Sequence, residues 1–350
     1  MADARMKAAV LTGHGGLEVV EVVDNLPIPE PDRDEVRVNI KAAALNRLDL
    51  FVRAGWRGLH LDFPHVICAD GAGVVDAVGE GVITFSAGDR VAIDPTIVDR
   101  NDPALMTGLE NQSRIKLMGE HAPGVAAEYT IIPSRNLLKM PDDFSFVGAA
   151  AAGLVYVTAW HSLITRGGLR PGENVLIVGA GGGVNSASIQ IAKLTGAKVY
   201  VVGSSAEKCE QAKQLGADVT INREEEPQWS KAVYQMTEKR GVDVVVDNVG
   251  QATFNDSIRS TRIGGRMLVV GGTSGPSVDL DVRQLFARQI SIIGSTMGPH
   301  QDYVSVMKLV FEGALYPVVG KVFPLTEARA AQQTLADFDV FGKVVLDLQA

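Results

Sequence analysis

The sequence predicts an α/β chain of two domains, a β-rich first third followed by a doubly wound parallel-sheet domain. Three observations carry that expectation. The length, 350 residues, exceeds one ordinary domain and falls short of three. Before about residue 150, short valine-rich runs with partial alternation are separated by proline and glycine. After it, continuous apolar runs alternate with helical stretches, as strands buried on both faces and their crossover helices require.

In the first part, Glu18–Val23 and Glu35–Ile40 read as strands, with Pro27, Pro29, Pro31 and Asp32 punctuating between them. Gly71–Val75 and Gly88–Ile93 continue the pattern, each introduced by a turn glycine, which suggests a small barrel or sandwich. In the second part, Val175–Val178 is a buried strand followed by a helix over Ser186–Leu194. Strand Val199–Val202, a helix around Glu207–Leu215 and strand Val219–Ile221 come next, then strands at Val242–Val246, Met267–Val270 and Ile290–Ile293. A helix from about Tyr303 and a strand at Val344–Leu346 close the chain.

Composition excludes several classes. A hydrophobic share of 46% with 21% charged residues is globular and excludes a disordered chain. The net charge of −8 argues against nucleic acid or an anionic membrane as the main partner. Two cysteines, Cys68 and Cys209, cannot build a disulfide framework or a thiolate zinc cluster, so a reducing, cytoplasmic setting is expected. The apolar run after Arg5 and Lys7 is interrupted by Gly13, Gly15 and Gly16, so no signal peptide is expected. Phe144–Thr165 lacks Asp, Glu, Lys and Arg, but its alanine block, its glycines and His161 suit a buried helix better than a membrane span.

Between the first buried strand and its helix lies Gly179-Ala180-Gly181-Gly182-Gly183-Val184-Asn185. Glycine lets the chain turn tightly and the backbone approach a pyrophosphate, which the helix N-terminus then attracts. Strand before, helix after and a second strand about twenty residues on make this a dinucleotide site. The last glycine of the usual fingerprint is replaced by Val184 or Asn185, depending on alignment. The second strand usually ends in an acid that bonds the ribose of NAD. Here it ends in Gly203, Ser204 and Ser205, with Lys208 following, a set suited to a 2′-phosphate. NADP(H) is therefore favoured over NAD(H), with Glu207 the competing ribose ligand.

The chain resembles the medium-chain dehydrogenase/reductase superfamily of zinc-type alcohol dehydrogenases and quinone oxidoreductases. The match runs through Ala42–Leu50, Gly71–Val75, Gly88–Val91, Gly119-Glu120-His121, Thr158–His161, the glycine loop, Gly294–Gly298 and Phe341–Leu346. It implies a GroES-like catalytic domain over 1–135, a Rossmann domain over 136–298, and a segment over 299–350 returning to the first domain. It also implies that Thr158, Asn248, Val249, Gly271, Gly272, Thr273, Ser295, Thr296, Met297, Gly342 and Lys343 border the cofactor. Ile290–Ile293 corresponds to the edge strand through which relatives pair, so a homodimer is expected.

The same resemblance bears on metal. Zinc-dependent members carry Cys at the position of Asn46, His at Ala69, an acid at Asp70 and Cys near Leu154; only the acid remains. The structural zinc lobe, here 94–118, has Asp99, Asp102, Leu105 and Ser113 at its four ligand positions, which keeps the spacing without the chemistry. No metal is expected at either place. Without a Lewis acid, reduction of a conjugated carbonyl or quinone is the expected chemistry, since the substrate itself delocalises charge. Asn46 would orient the carbonyl, Arg47 would reach the pyrophosphate, and Asp49 serves either catalysis or structure. His161 reads as core-facing, so water is the expected proton source. The alternatives are an alcohol dehydrogenase with a rearranged site and a non-catalytic NADPH-binding protein.

Overall fold

The computed structural model describes residues 4–99, 101–107, 115–338 and 340–350. The chain forms two compact units, one of Met1–Leu154 with Pro299–Ala350 and one of Val155–Gly298. In chain order the first unit begins with β1 (Arg5–Leu11), β2 (Val20–Pro27), β3 (Glu35–Leu45), α1 (Arg47–Ala54), β4 (His65–Val66) and β5 (Asp70–Val78). It continues through β6 (Arg90–Ile93), β7 (Thr96–Ile97), β8 (Lys116–Leu117), β9 (Tyr129–Pro133), β10 (Leu137–Lys139) and into α2 (Phe146–Trp160). The boundary thus falls inside α2 rather than at 135/136, because Leu137–Lys139 pairs with β6 and keeps that stretch in the first unit.

The second unit alternates β11 (Asn174–Val178), α3 (Gly183–Leu194), β12 (Lys198–Gly203), α4 (Ala206–Gln214), β13 (Val219–Asn222) and α5 (Trp229–Met236). Then follow β14 (Val242–Asp247), α6 (Phe254–Ser260), β15 (Thr261–Val269), α7 (Arg283–Phe286) and β16 (Ser291–Gly294). The chain returns to the first unit with α8 (His300–Phe311), β17 (Val319–Pro324), α9 (Ala328–Ala336) and β18 (Lys343–Asp347). β17 was not evident in the sequence, where Pro317 and Gly320 break an exposed run; its parallel pairing with β18 makes it a strand.

In the second unit the six strands are ordered β13-β12-β11-β14-β15-β16, all parallel. This is the 3-2-1-4-5-6 order of a dinucleotide-binding sheet, with its reversal between β11 and β14. Val175, Leu176 and Ile177 are fully buried on β11, and each such side chain stabilises the fold by roughly 1.5–3 kcal/mol. Phe146–Arg166 is long and apolar enough to cross a membrane by length and composition, yet most of it is buried in the protein, as a core helix would be.

In the first unit the main sheet runs β10-β6-β5-β3-β18-β17, with β9 also on β3, and β2-β1-β4 forms a second sheet. β3 is the hub, antiparallel to both β5 and β18. Its register sets Leu45 opposite Val344 and Ala44 opposite Asp70. The ends of three strands therefore come together, and that meeting builds the site.

Candidate active site

Asn46 follows the last residue of β3, Asp70 opens β5 and Lys343 opens β18, so the pairing register brings all three together. All are buried, with Asp70 at 0%, Lys343 at 4% and Asn46 at 7% exposure. Lys343 Nζ donates to Asn46 Oδ1 at 2.6 Å and to Asp70 Oδ2 at 2.9 Å, and Asn46 Nδ2 donates to Asp70 Oδ2 at 2.8 Å. An ammonium only donates and a carboxylate only accepts, so these partners determine which end of the amide is which. Leu154 N–H donates to Asp70 Oδ1 at 2.6 Å, and Gly153 lies against that carboxylate so closely that a Cβ would fall 2.3 Å from Oδ1.

The positions corresponding to zinc ligands thus converge, but their side chains do not suit a metal. Ala69 and Leu154 have no side-chain donor atom, Asn46 and Asp70 are bonded to each other, and an ammonium shares Asp70 Oδ2 with the Asn46 amide. A catalytic zinc wants three nitrogen, sulfur or oxygen ligands and an open position; this set does not fit one. Among the described residues no group of three His, Cys, Asp or Glu is placed to hold a metal ion. In the lobe, Asp99 and Asp102 use carboxylate oxygens to accept the N–H groups of Asn101 and Ala104. Ser113 lies outside the described residues.

Asp49 receives the backbone N–H of Asn46 at 2.7 Å and of Cys68 at 2.8 Å, one on each carboxylate oxygen. Burial pushes its pKa up to about 6, against the pull of these two donors and of Lys343. It braces the turn that presents Asn46. Burial likewise raises the Cys68 thiol well above its usual range, so it is no nucleophile.

Lys343 and Arg47 both have partners within the chain. Lys343 bonds its ammonium inside the Asn46–Asp70 cluster, because β18 pairs with β3. Arg47 donates to Leu335 O at 2.8 Å and lies 3.8 Å over the Phe338 ring, so its guanidinium is held by the region around α9. Gly342, with φ +94, is required by the chain itself: a Cβ there would fall 2.3 Å from Val318 O.

In the second unit the glycine loop follows β11, at the reversal of strand order. Gly179 turns at φ +101, and a Cβ there would come within 2.4 Å of Asn185 Nδ2. Gly182 caps α3 with open space where a Cβ would be, Gly183 is its first residue, and Gly181 and Val184 flank that opening. Asn185 takes the place of the fingerprint's last glycine and knits the turn together. Its Nδ2 donates to Gly179 O at 2.7 Å and Val178 O at 3.2 Å, while Oδ1 accepts from Asn248 Nδ2. Asn248 Oδ1 is left buried without a partner beside this turn, and Ser295 Oγ is likewise unpartnered just beyond β16. An orphaned polar atom beside an open helix N-terminus fits a dinucleotide that would satisfy it.

Around this opening, Val249 N–H donates to Asp247 Oδ1 at 2.8 Å and Thr273 Oγ1 to Asn248 O at 3.3 Å. Gly271 and Gly272 keep the neighbouring loop close, since Cβ atoms there would lie 3.0 Å from Asn248 O and 3.2 Å from Gly275 O. Thr158 Oγ1 meets Met297 Sδ at 3.7 Å, and Thr296 lies between Met297 and Ser295. At the end of β12, Gly203 leaves 2.6 Å between a would-be Cβ and Cys209 Sγ. Ser205 caps α4 by accepting Lys208 N–H at 3.3 Å, with Ser204 beside it. Sequence reading missed Arg223, whose N–H donates to Gly203 O at 3.0 Å and which thereby stands beside this strand end. Its signal is its position just beyond the neighbouring parallel strand. His161 is buried, as expected of a core residue.

A doubly wound sheet with a phosphate-ready loop, joined in one chain to a β unit with a polar cluster, defines a nicotinamide-dependent oxidoreductase. The alcohol dehydrogenase GroES-like domain matches residues 32–142 and the zinc-binding dehydrogenase family matches residues 183–312. The chain is 32% identical to an acryloyl-coenzyme A reductase of Metallosphaera sedula, covering 97% of this chain and 99% of the relative. It is 28% identical to the quinone oxidoreductase of Homo sapiens, over 97% of both. A solved structure described as an NAD-dependent alcohol dehydrogenase superposes with a TM-score of 0.94 at 45% identity, over 98% of this chain and 100% of that one. The chain belongs to the medium-chain dehydrogenase/reductase superfamily. It is an oxidoreductase, which removes the non-catalytic alternative.

Proposed function

We propose that the chain is a zinc-independent, NADPH-dependent reductase of quinones or α,β-unsaturated carbonyl compounds. The observation that carries this reading is the Asn46 amide, held between Lys343 and Asp70 where zinc-dependent relatives place metal ligands. Nδ2 gives one proton to Asp70 and keeps a second; Nζ gives two and keeps a third. These spare donors suit a carbonyl oxygen that gains negative charge as a double bond conjugated to it is reduced. A bound nicotinamide would supply the hydride. The acryloyl-coenzyme A reductase and quinone oxidoreductase relatives agree with this substrate class.

Two hydroxyls at Ser204 and Ser205, with Lys208 and Arg223 nearby and no acid at the end of β12, favour the 2′-phosphate of NADPH. The second reading, NAD-dependent alcohol oxidation, draws on the similar structure of that description. β16 is an edge strand with Ile292 36% exposed, which supports a homodimer joined edge to edge. Cys68 and Cys209 are free and buried, in keeping with a reducing cytoplasm.

The test is cofactor oxidation with a panel of quinones and short enones, on protein purified without chelators and assayed for metal. Turnover with NADPH and metal well below one per chain is expected. Stoichiometric zinc, or alcohol oxidation with no turnover of the panel, overturns the proposal.

A further inference from the structure

We propose that His300, held by Asp94, is the acid that protonates the α-carbon when an enone is reduced; this rests on the reductase reading above. Both residues belong to the first unit. Asp94 immediately follows β6 and is clamped on every side. Its N–H donates to Asn136 O at 2.8 Å, while Asn136 Nδ2 donates back to Asp94 O at 3.0 Å and to Thr96 O at 2.7 Å. Its Oδ1 accepts Thr96 N–H at 3.0 Å, which leaves Oδ2 to hold His300 Nδ1 at 2.8 Å. The Asp94 side chain is 1% exposed and that of His300 is 30% exposed.

This is a positioned imidazole. The carboxylate only accepts, so Nδ1 carries a proton and the ring's second nitrogen is Nε2. Nε2 meets no protein partner among the described residues. In the doubly protonated ring it is a donor, and the partial exposure lets water restore its proton.

Tyr303, one turn along α8, ties this pair to the Asn46 cluster. Its ring stacks on that of His300 with centroids 6.2 Å apart, and it is fully buried with its hydroxyl unpartnered. Burial, with the nearby carboxylates of Asp94 and Asp70, pushes its pKa well above the usual range. β5 opens with Asp70 and Asp94 follows β6, and the antiparallel register of these strands sets Ala72 opposite Ala92, so the two acids stand at the same end of the strand pair and the His300–Asp94 pair and the Asn46–Asp70–Lys343 cluster are parts of one polar region. Among the described residues of that cluster, Asp49 and Asp70 are buried with their oxygens accepting backbone and side-chain donors, and Lys343, also buried, keeps its remaining N–H for the substrate oxygen.

Hydride addition at the β-carbon of an enone leaves an enolate, whose oxygen the spare donors of Asn46 and Lys343 would hold. The enolate electron pair then forms the α-carbon–hydrogen bond as the Nε2–H bond breaks, giving the saturated carbonyl and a neutral imidazole. A quinone needs no carbon-bound proton, because both of its protons end on oxygen and exchange with water. The two substrate types therefore separate the role of His300 from general damage.

The test compares His300→Gln with the native protein on a short enone and on 1,2-naphthoquinone, with α-deuterium in the enone product read by NMR after reaction in deuterated water. For the enone, kcat is expected to fall at least tenfold, within the range general acid catalysis supplies. Quinone kcat should stay within about twofold, an allowance for the loss of a group that reaction does not use. Deuterium should enter one face in the native protein and both faces in the variant. Asp94→Asn should shift both readouts the same way by less. Equal losses on the two substrates, an unchanged enone rate, or scrambled deuterium in the native protein overturns the assignment. A native protein that reduces quinones but not enones overturns this inference and leaves the function above standing; one that reduces neither overturns both.

Discussion

Lys343 and Asp70 are 273 residues apart in the chain and 2.9 Å apart in the fold. Both are buried, and each is the other's charge partner. Removing the cation alone leaves a buried carboxylate uncompensated, which costs about 3–5 kcal/mol. Lys343→Met should therefore destabilise the first unit strongly in urea melts. Lys343→Met with Asp70→Asn should recover most of that stability without recovering enone reduction, because Asn46 Oδ1 still lacks its ammonium. Recovery of both would show the lysine to be structural only.

Ser205 caps α4, and aspartate caps a helix about as well as serine. Ser205→Asp should thus leave the melting temperature close to native while placing a negative charge at the proposed 2′-phosphate site. The KM for NADPH is expected to rise by tenfold or more, about 1.4 kcal/mol, with the KM for NADH little changed or lower. An unaltered NADPH:NADH preference would sink the cofactor assignment.

The Asp49 carboxyl titrates near 6 in the folded protein, above the 3.8 of an unperturbed aspartate. The folded state holds this proton after the unfolded chain has lost it, so the unfolded state binds fewer protons and stability falls as pH rises from about 4 to 6. The full penalty above pH 6 is roughly 3 kcal/mol, and below about pH 4 it vanishes. Urea melts should show the native protein losing ground to Asp49→Asn across that window. A constant difference between the two would remove the argument.

Asp243 behaves oppositely. Its carboxylate accepts from Arg240, Arg262 and the backbone N–H of Asn174 at the start of β11, and these donors lower its pKa to about 2 despite the cost of burial. Its stabilisation is present above pH 4 and lost as pH falls toward 2. Asp243→Asn should destabilise the second unit at pH 7 and make little difference at pH 2, measured by denaturation at each pH.

The parts legible in the sequence are those where local chemistry leaves one solution. Val175–Val178 can be little other than a strand buried on both faces, and glycine at 179 is required because the chain turns there with positive φ. The absence of donor atoms at Ala69 and Leu154 is equally a matter of residue type. Asn185 is where local reading fell short. It looked like a defect in a glycine fingerprint, and in the fold its amide bonds the ends of β11 and the Asn248 loop together.

By itself, then, the sequence determined the two kinds of domain, the dinucleotide loop and the loss of metal ligands, because periodicity and side-chain chemistry are local properties. Tertiary structure alone decided what surrounds Asn46 and what Asp94 holds. Lys343 reaches Asn46 because β18 lies antiparallel to β3 with Val344 opposite Leu45. His300 reaches Asp94 because the chain returns to its first unit after residue 298. Strand register and chain return are non-local, set by packing of the whole sheet, and no spacing within a segment encodes them.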